Sequence, residues 1–103
     1  MKYIVKATPF LREQISEYDA KTRRVMYDKI NLVETSPFRN KSLKSDSYNH
    51  VFRIRFSHAG SEKRLIYVVL KDKVFLCFVL DRSRGYKDLE AYFRKIGRLG
   101  QQR

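Results

Sequence analysis

Three arginines are spaced in a way that could support chemistry on phosphates. Arg53 and Arg55 alternate with apolar residues in VFRIRF, and Arg64 opens the apolar run RLIYVVL. In a strand, alternation would place Arg53 and Arg55 on the face opposite a core formed by the intervening apolar side chains. Guanidinium groups stay charged and bind phosphate oxygens, so a cluster of them suits phosphodiester chemistry. A strand with one solvated face shows the same pattern, and by itself this is the commoner explanation.

The overall charge favours the phosphate interpretation. The 103 residues include 23 Lys plus Arg against 11 Asp plus Glu, which gives a net charge of +12. Such an excess predicts a polyanionic partner, either nucleic acid or an acidic protein chain. The hydrophobic content of 43% is enough for a packed core, so we predict one folded domain over residues 1–103.

The sequence also excludes several classes of protein. The first ten residues lack the pattern of a signal peptide, and no apolar run is long enough to span a bilayer. The single cysteine, Cys77, lies in the apolar segment VFLCFVL and suits a reducing cytoplasm. The two histidines and the cysteine are not closely spaced, and SHAGSEK has one glycine, too few for a phosphate-binding loop. We therefore predict a cytoplasmic protein without a membrane span, metal ion or cofactor.

The N-terminal third is predicted to form a strand and two helices. Alternation in KYIVKA indicates the strand. Thr8 and Pro9 are typical of a helix start, because a Thr oxygen caps free amides and proline fits the first turn. Asp19 can cap a second, longer helix, which must end before Pro37. These two helices should form a hairpin.

The remainder is predicted to contain three strands and a helix. Residues 39–49 are polar and basic, and we interpret them as a loop held at one point by Leu43. The segments VFRIRF, KRLIYVVL and VFLCFVL should form three antiparallel strands, with the last buried on both faces. Helical spacing of apolar residues then indicates a helix over YKDLEAYFRKIGRL, and the GQQR end is expected to fray.

The order strand, helix, helix, strand, strand, strand, helix resembles that of the RelE/ParE superfamily of toxins from toxin-antitoxin systems. The resemblance covers almost the whole chain and depends on TSPFRNKSLKS, VFRIRF, KRLIYVVL and VFLCFVLDRSRGYKDLEAY. It implies an α+β fold in which the helical hairpin packs on one face of a twisted, mainly antiparallel sheet and leaves a concave opposite face for function. A RelE-like member would be a toxin that cleaves mRNA on the ribosome without a metal ion, and its partner would be a cognate antitoxin.

Two other functions remain open within this resemblance. A ParE-type toxin would inhibit DNA gyrase by binding, without enzymatic activity. An inactive relative would only bind RNA. The set of arginines favours the endoribonuclease.

The resemblance implies where RNA would be bound. It places Arg53 and Arg55 in an RNA-binding concavity, with Arg64 on the neighbouring strand. After the last strand, Arg84 is the best match to a further arginine of the family, and Arg82 is the alternative. A catalytic role, the stabilisation of negative charge in the transition state, is predicted for Arg53, Arg55, Arg64 and Arg84.

Other side chains of the predicted site come from less regular segments. The tyrosine of the family corresponds to Tyr86 or Tyr92, and we predict a catalytic role for Tyr86 and a packing role for Tyr92. A tyrosine beside a guanidinium can donate a proton or stack on a base. Lys44, Arg82 and Lys87 are predicted to bind RNA.

The sequence does not single out one residue as the general base of the cleavage reaction. Attack by a ribose 2′-hydroxyl requires a proton acceptor, and an arginine hardly ever deprotonates. His50 and His58 bracket the VFRIRF strand and have the side chain best suited to titrate near neutrality. A desolvated Lys87 or one of the two tyrosines are further candidates for the base or the acid.

Overall fold

A computed structural model describes residues 2–99 as one five-stranded sheet with three helices. The strand order is β1-β5-β4-β3-β2; β1 runs parallel to β5, and the other neighbours are antiparallel. The strands are β1 (Ile4–Ala7), β2 (Lys41–Leu43), β3 (Val51–His58), β4 (Ser61–Leu70) and β5 (Lys73–Asp81). The helices are α1 (Pro9–Ser16), α2 (Ala20–Val33) and α3 (Leu89–Ile96), and a short 3-10 turn covers Arg82–Arg84. The α+β class is confirmed, and the predicted fraying of GQQR lies outside the described residues.

The helical hairpin begins and ends where the sequence predicts. The Thr8 hydroxyl accepts a hydrogen bond from the Leu11 amide at 3.1 Å and donates one to the Cys77 carbonyl at 2.6 Å. The Asp19 carboxylate accepts the Thr22 amide at 3.0 Å at the start of α2. Each cap satisfies an amide that has no partner within its helix. Thr8 therefore both starts α1 and ties it to β5.

The segment over residues 39–49 differs from the prediction. Lys41–Leu43 form the short edge strand β2, with Lys41 opposite Arg53 and Leu43 opposite Val51 on β3. The interpretation of residues 39–49 as entirely loop was therefore wrong. Three residues without a β-branched side chain carry little strand signal of their own, and the pairing depends on the edge that β3 offers.

Each face of the sheet carries an apolar cluster that helices cover. Phe52, Ile54 and Phe56 pack with the two N-terminal helices in one apolar cluster. On the other face, Leu89 and Phe93 of α3 join a second cluster that includes buried residues of β3, β4 and β5. On the face opposite the hairpin, α3 therefore covers the apolar part of the sheet, because β4 and β5 are apolar on both sides and need cover on both, as predicted for the last strand.

The free edge of β5 is closed by a side chain of α1. The pairing of β1 with β5 ends at Ala7 and Leu76. Beyond that point the Gln14 side chain accepts a hydrogen bond from the Val79 amide at 2.7 Å and donates one to the Val79 carbonyl at 3.1 Å. The Gln14 side-chain amide thus makes the two backbone hydrogen bonds that a neighbouring strand would otherwise make. It holds the end of β5, from which the 3-10 turn begins. No helix within residues 2–99 is long and apolar enough to cross a membrane.

Candidate functional site

Four basic side chains from three strands share one face of the sheet. Arg55 lies opposite Arg64 in the β3–β4 pair, and Lys41 lies opposite Arg53 in the β2–β3 pair. Directly opposed residues of antiparallel strands point to the same face, as do residues two apart on one strand. We call Lys41, Arg53, Arg55 and Arg64 the basic row. It lies on the face opposite the helical hairpin, since the intervening Phe52, Ile54 and Phe56 pack against the hairpin.

Arg64 is the most firmly held member of the basic row. Its side chain is only 13% exposed. The guanidinium carbon lies 4.6 Å from the centre of the Tyr86 ring, and Nε lies 3.6 Å from Oε2 of Glu62. A cation over an aromatic face and beside a carboxylate is fixed by attraction on two sides. Arg64 is therefore positioned before any ligand binds.

Arg53 and Arg55 are more accessible. Arg55 is exposed and Arg53 is half-buried. Within residues 2–99 neither side chain forms an ion pair. The backbone of Arg55 is held by α2, because the Lys29 ammonium donates a hydrogen bond to its carbonyl at 2.7 Å. These two guanidinium groups are free to bind an anion from outside the protein.

Glu62 is a member of the site that the sequence analysis missed. It lies two residues before Arg64 on β4, so both side chains point to the same face. Its Oε2 is 3.6 Å from Nε of Arg64 and 4.0 Å from Nε of Arg82. A carboxylate thus lies between an arginine of β4 and one of the 3-10 turn. The signal available in the sequence was the two-residue spacing from Arg64.

Arg84 and Arg82 have different surroundings. The Arg84 guanidinium binds the Asp88 carboxylate at 2.5 and 3.3 Å, and these hydrogen bonds hold the pKa of Asp88 below its usual range. Arg84 also lines a cavity of about 130 Å³ together with Gln14 of α1 and Tyr18, which lies between α1 and α2. The structure therefore links Arg82 rather than Arg84 to Arg64, by way of Glu62.

Of the two candidate tyrosines, too, only one contacts the basic row. The Tyr86 ring lies against Arg64, while its hydroxyl is buried and has no hydrogen-bond partner among residues 2–99. Tyr92 packs its ring against Phe10 and Phe78, with ring centres 5.7 and 5.1 Å apart. The predicted packing role of Tyr92 is confirmed. Tyr86 contacts the basic row through its ring.

Both histidines lie away from the basic row. The ring nitrogen Nδ1 of His58 is 3.2 Å from the Thr22 hydroxyl of α2. The His50 ring packs against Phe38, with ring centres 5.5 Å apart, and Phe38 contacts Phe52 of the hairpin-side cluster. Each histidine therefore contacts the hairpin side of the sheet, which does not suit a base acting beside Arg64.

The remaining predicted RNA-binding lysines lie in exposed connections. Lys44 directly follows β2 in the exposed segment before β3, and Lys87 lies in the turn before α3. The segment after Lys44 is tied to α3, because the Glu90 carboxylate accepts hydrogen bonds from the Asp46 amide at 3.1 Å and the Ser47 hydroxyl at 2.5 Å. Across residues 2–99, no three metal-binding side chains come together. The side chains of the basic row can bind a phosphate and stabilise added negative charge, and the Glu62 carboxylate beside them can accept a proton.

Comparison with solved structures identifies the fold. The fold superimposes on the E. coli toxin RelE, solved in the free state as a mutant with two arginines changed to alanine, with a TM-score of 0.71. The match covers 92% of this chain and 97% of that one. The chain has the RelE fold. The resemblance suggested by the order of the segments is thus confirmed for the fold, at a sequence identity of 18%. No protein-family model and no curated protein match the sequence.

Proposed function

We propose that this chain is the toxin of a toxin-antitoxin system and cleaves mRNA bound to the ribosome. The observation that carries the proposal is the basic row on one face of the sheet, with Arg64 held between Tyr86 and Glu62. The RelE fold adds support, since the E. coli protein with this fold is a toxin. We propose the cytoplasm, where mRNA is translated, as the compartment.

The reaction we propose needs neither a metal ion nor a cofactor. The ribose 2′-hydroxyl attacks the adjacent phosphate, which leaves a cyclic phosphate and a free 5′-hydroxyl. The pentacoordinate transition state carries more negative charge than the diester. Guanidinium groups held in place stabilise that charge without having to reorganise during the reaction. Arg64 would supply this stabilisation, and Arg53, Arg55 and Lys41 would bind the neighbouring phosphates.

The proposal can be tested with purified protein and translating ribosomes. New mRNA 5′ ends should appear within the translated region, and mRNA without ribosomes should be cut much more slowly. A DNA gyrase supercoiling assay should run in parallel with the same protein. Unaffected mRNA together with blocked supercoiling would contradict nuclease activity and favour a ParE-type inhibitor, whereas RNA binding without either effect would indicate an inactive relative.

RNA binding by the basic row should depend strongly on salt. Four neutralised phosphates give a slope of roughly −3 for log affinity against log salt concentration on single-stranded RNA. Fluorescence anisotropy of a labelled oligonucleotide measures this slope. Arg55→Gln should bring it closer to zero by about 0.7, whereas the control Lys21→Gln, on α2, should leave it unchanged. Equal effects of the two substitutions would mean that the charge acts diffusely over the whole surface.

The proposed partner is an antitoxin, and a groove beside β1 suits part of it. The groove has a volume of about 1250 Å³ and lies between β1, the start of α1 and the end of α3. Apolar residues such as Val5 and Phe75 line it together with basic ones and no acidic one. The basic lining residues are Lys6, Arg12, Lys71, Lys73 and Lys95. We propose that it binds an acidic antitoxin segment with apolar anchors.

Coexpression with the product of the neighbouring gene should yield a complex that survives modest salt. Reversing the charge of two groove residues, Lys6→Glu with Lys71→Glu, should weaken the complex at least tenfold, because like charges would then meet. The matched control is Lys21→Glu with Arg24→Glu, which reverses two exposed charges on α2. Isothermal titration calorimetry compares the two. An equal loss in both variants would show that net charge, and not the groove, determines binding.

A further inference from the structure

We propose that Glu62 is the general base that removes the proton from the attacking 2′-hydroxyl. This inference rests on the proposed function, since it concerns the same cleavage reaction. It assigns to this chain a catalytic carboxylate within a site otherwise composed of cations and an aromatic ring.

The other candidates for the base are unsuitable in this structure. Arginines of the basic row do not deprotonate under physiological conditions. His50 and His58 contact residues on the hairpin side of the sheet. The Tyr86 hydroxyl is buried, so an RNA could not reach it without a rearrangement. Lys87 is exposed in the turn that precedes α3, so it lacks the desolvated surroundings in which a lysine was considered as a base.

Glu62 has the position and the freedom that a base requires. It lies on rigid β4, opposite Ser57 of β3, and about 7 Å along the strand from Arg64 on the same face. Its side chain is 25% exposed, so a ligand can reach it. The distances of 3.6 and 4.0 Å to Arg64 and Arg82 are longer than good hydrogen bonds. Within residues 2–99 no hydrogen bond engages the carboxylate, so its lone pairs can accept a proton.

The proposed cleavage moves one proton to Glu62 and replaces one bond to phosphorus with another. The Glu62 carboxylate takes the proton of the 2′-hydroxyl while the 2′-oxygen forms a bond to phosphorus. The bond between phosphorus and the 5′-oxygen breaks, and the leaving oxygen takes a proton from water. The products are a 2′,3′-cyclic phosphate and a 5′-hydroxyl, and Glu62 releases its proton to solvent. Arg64 and its neighbours of the basic row remain charged throughout.

The isosteric substitution Glu62→Gln should change the cleavage rate differently if Glu62 is the base than if its role is purely electrostatic. If Glu62 only balances the charge of Arg64 and Arg82, its neutralisation should tighten RNA binding and leave cleavage unchanged or faster. If it is the base, the single-turnover rate on ribosomes should fall by about 10² to 10⁴, while RNA binding stays equal or becomes tighter. The matched control is Glu34→Gln, since Glu34 is also ion-paired, to Lys2, but lies away from the site.

The pH profile and the leaving group separate a base from an indirect effect. The pH–rate profile of Glu62→Gln should differ in shape from that of the wild type. Glu62→Asp keeps a carboxylate and should keep the wild-type profile at a lower rate, which also covers the case that the Gln variant does not fold. On mRNA with a 5′-thio leaving group, which leaves without protonation, the Gln variant should remain as defective as on normal mRNA.

The results that overturn this inference are distinct from those that overturn the nuclease proposal. Cleavage by folded Glu62→Gln within a few-fold of wild type, or rescue by the thio leaving group, would show that Glu62 is not the base while the wild-type protein still cleaves. An unchanged pH profile in Glu62→Gln would do the same. Absence of wild-type cleavage would instead contradict the proposed function itself.

Discussion

Replacing Arg64 with alanine is expected to lower ribosome-dependent mRNA cleavage by about a hundredfold or more. Removal of one pre-organised donor to a transition-state oxyanion has this effect in other enzymes. Arg64 meets the conditions for such a donor, because it lies on a central strand, is 13% exposed and is flanked by Tyr86 and Glu62. Single-turnover cleavage on programmed ribosomes measures the loss directly.

The matched control for this experiment is Lys44→Ala. Lys44 is exposed and lies in a connection outside the sheet, so its loss should weaken RNA binding only slightly. Thermal melting must show that both variants are folded. A folded Arg64→Ala protein that cleaves at nearly the wild-type rate would contradict the role of Arg64 in the transition state.

Replacing Tyr86 with alanine is expected to lower cleavage about tenfold or more, whereas Tyr86→Phe should stay within a few-fold of wild type. The Tyr86 ring lies 4.6 Å from the Arg64 guanidinium, and phenylalanine retains an aromatic face for this contact. The alanine variant leaves Arg64 with Glu62 alone, so the guanidinium can turn towards the carboxylate. A decrease in the cleavage rate with little change in RNA affinity would be the signature of a misplaced Arg64.

The phenylalanine variant also tests the alternative role of Tyr86 as a proton donor. The hydroxyl is buried without a partner among residues 2–99, so its removal should be nearly neutral or should stabilise the fold slightly. Equal losses in Tyr86→Phe and Tyr86→Ala would contradict the positioning role, because both variants would then be missing the functional group. Chemical denaturation of all three proteins provides the stability control.

Local sequence signals predicted much of the fold because they act within a few residues. Thr8 with Pro9 and Asp19 start helices through contacts three residues away, and the structure shows both caps. Alternation in VFRIRF correctly placed Arg53 and Arg55 on the face opposite the hairpin. Such patterns are readable because a strand repeats every two residues and a cap needs only its own turn.

Features that depend on distant partners could not be predicted in the same way. The strand β2 exists because β3 has a free edge beside it, and α3 covers the second face because the interior strands are apolar on both sides. The side chain of Arg84 turns to Asp88, four residues along, while Arg82 approaches Glu62 across the fold. Sequence similarity could rank Arg84 and Arg82 as alternatives, but only the three-dimensional arrangement links one of them to Arg64.

Glu62 illustrates why a site of few residues is harder to predict than a strand. Its neighbour Lys63 points to the other face and pairs with Asp81, so the segment SEKR looks like an ordinary charged hairpin. Only the register of β3 with β4 shows that Glu62 and Arg64 share a face with Arg55. The arginine pattern of the sequence therefore does not place Glu62 in the site.

The measurement that tests mRNA cleavage most directly is the chemical identity of the ends formed on ribosome-bound mRNA. With wild-type protein and no added metal beyond that required by the ribosome, we expect 2′,3′-cyclic phosphate and 5′-hydroxyl ends at positions within the translated region. The same reaction with Arg64→Ala should yield about a hundredfold fewer such ends. Intact mRNA, or ends that appear equally with folded Arg64→Ala, would contradict the proposal that the basic row is a ribonuclease site.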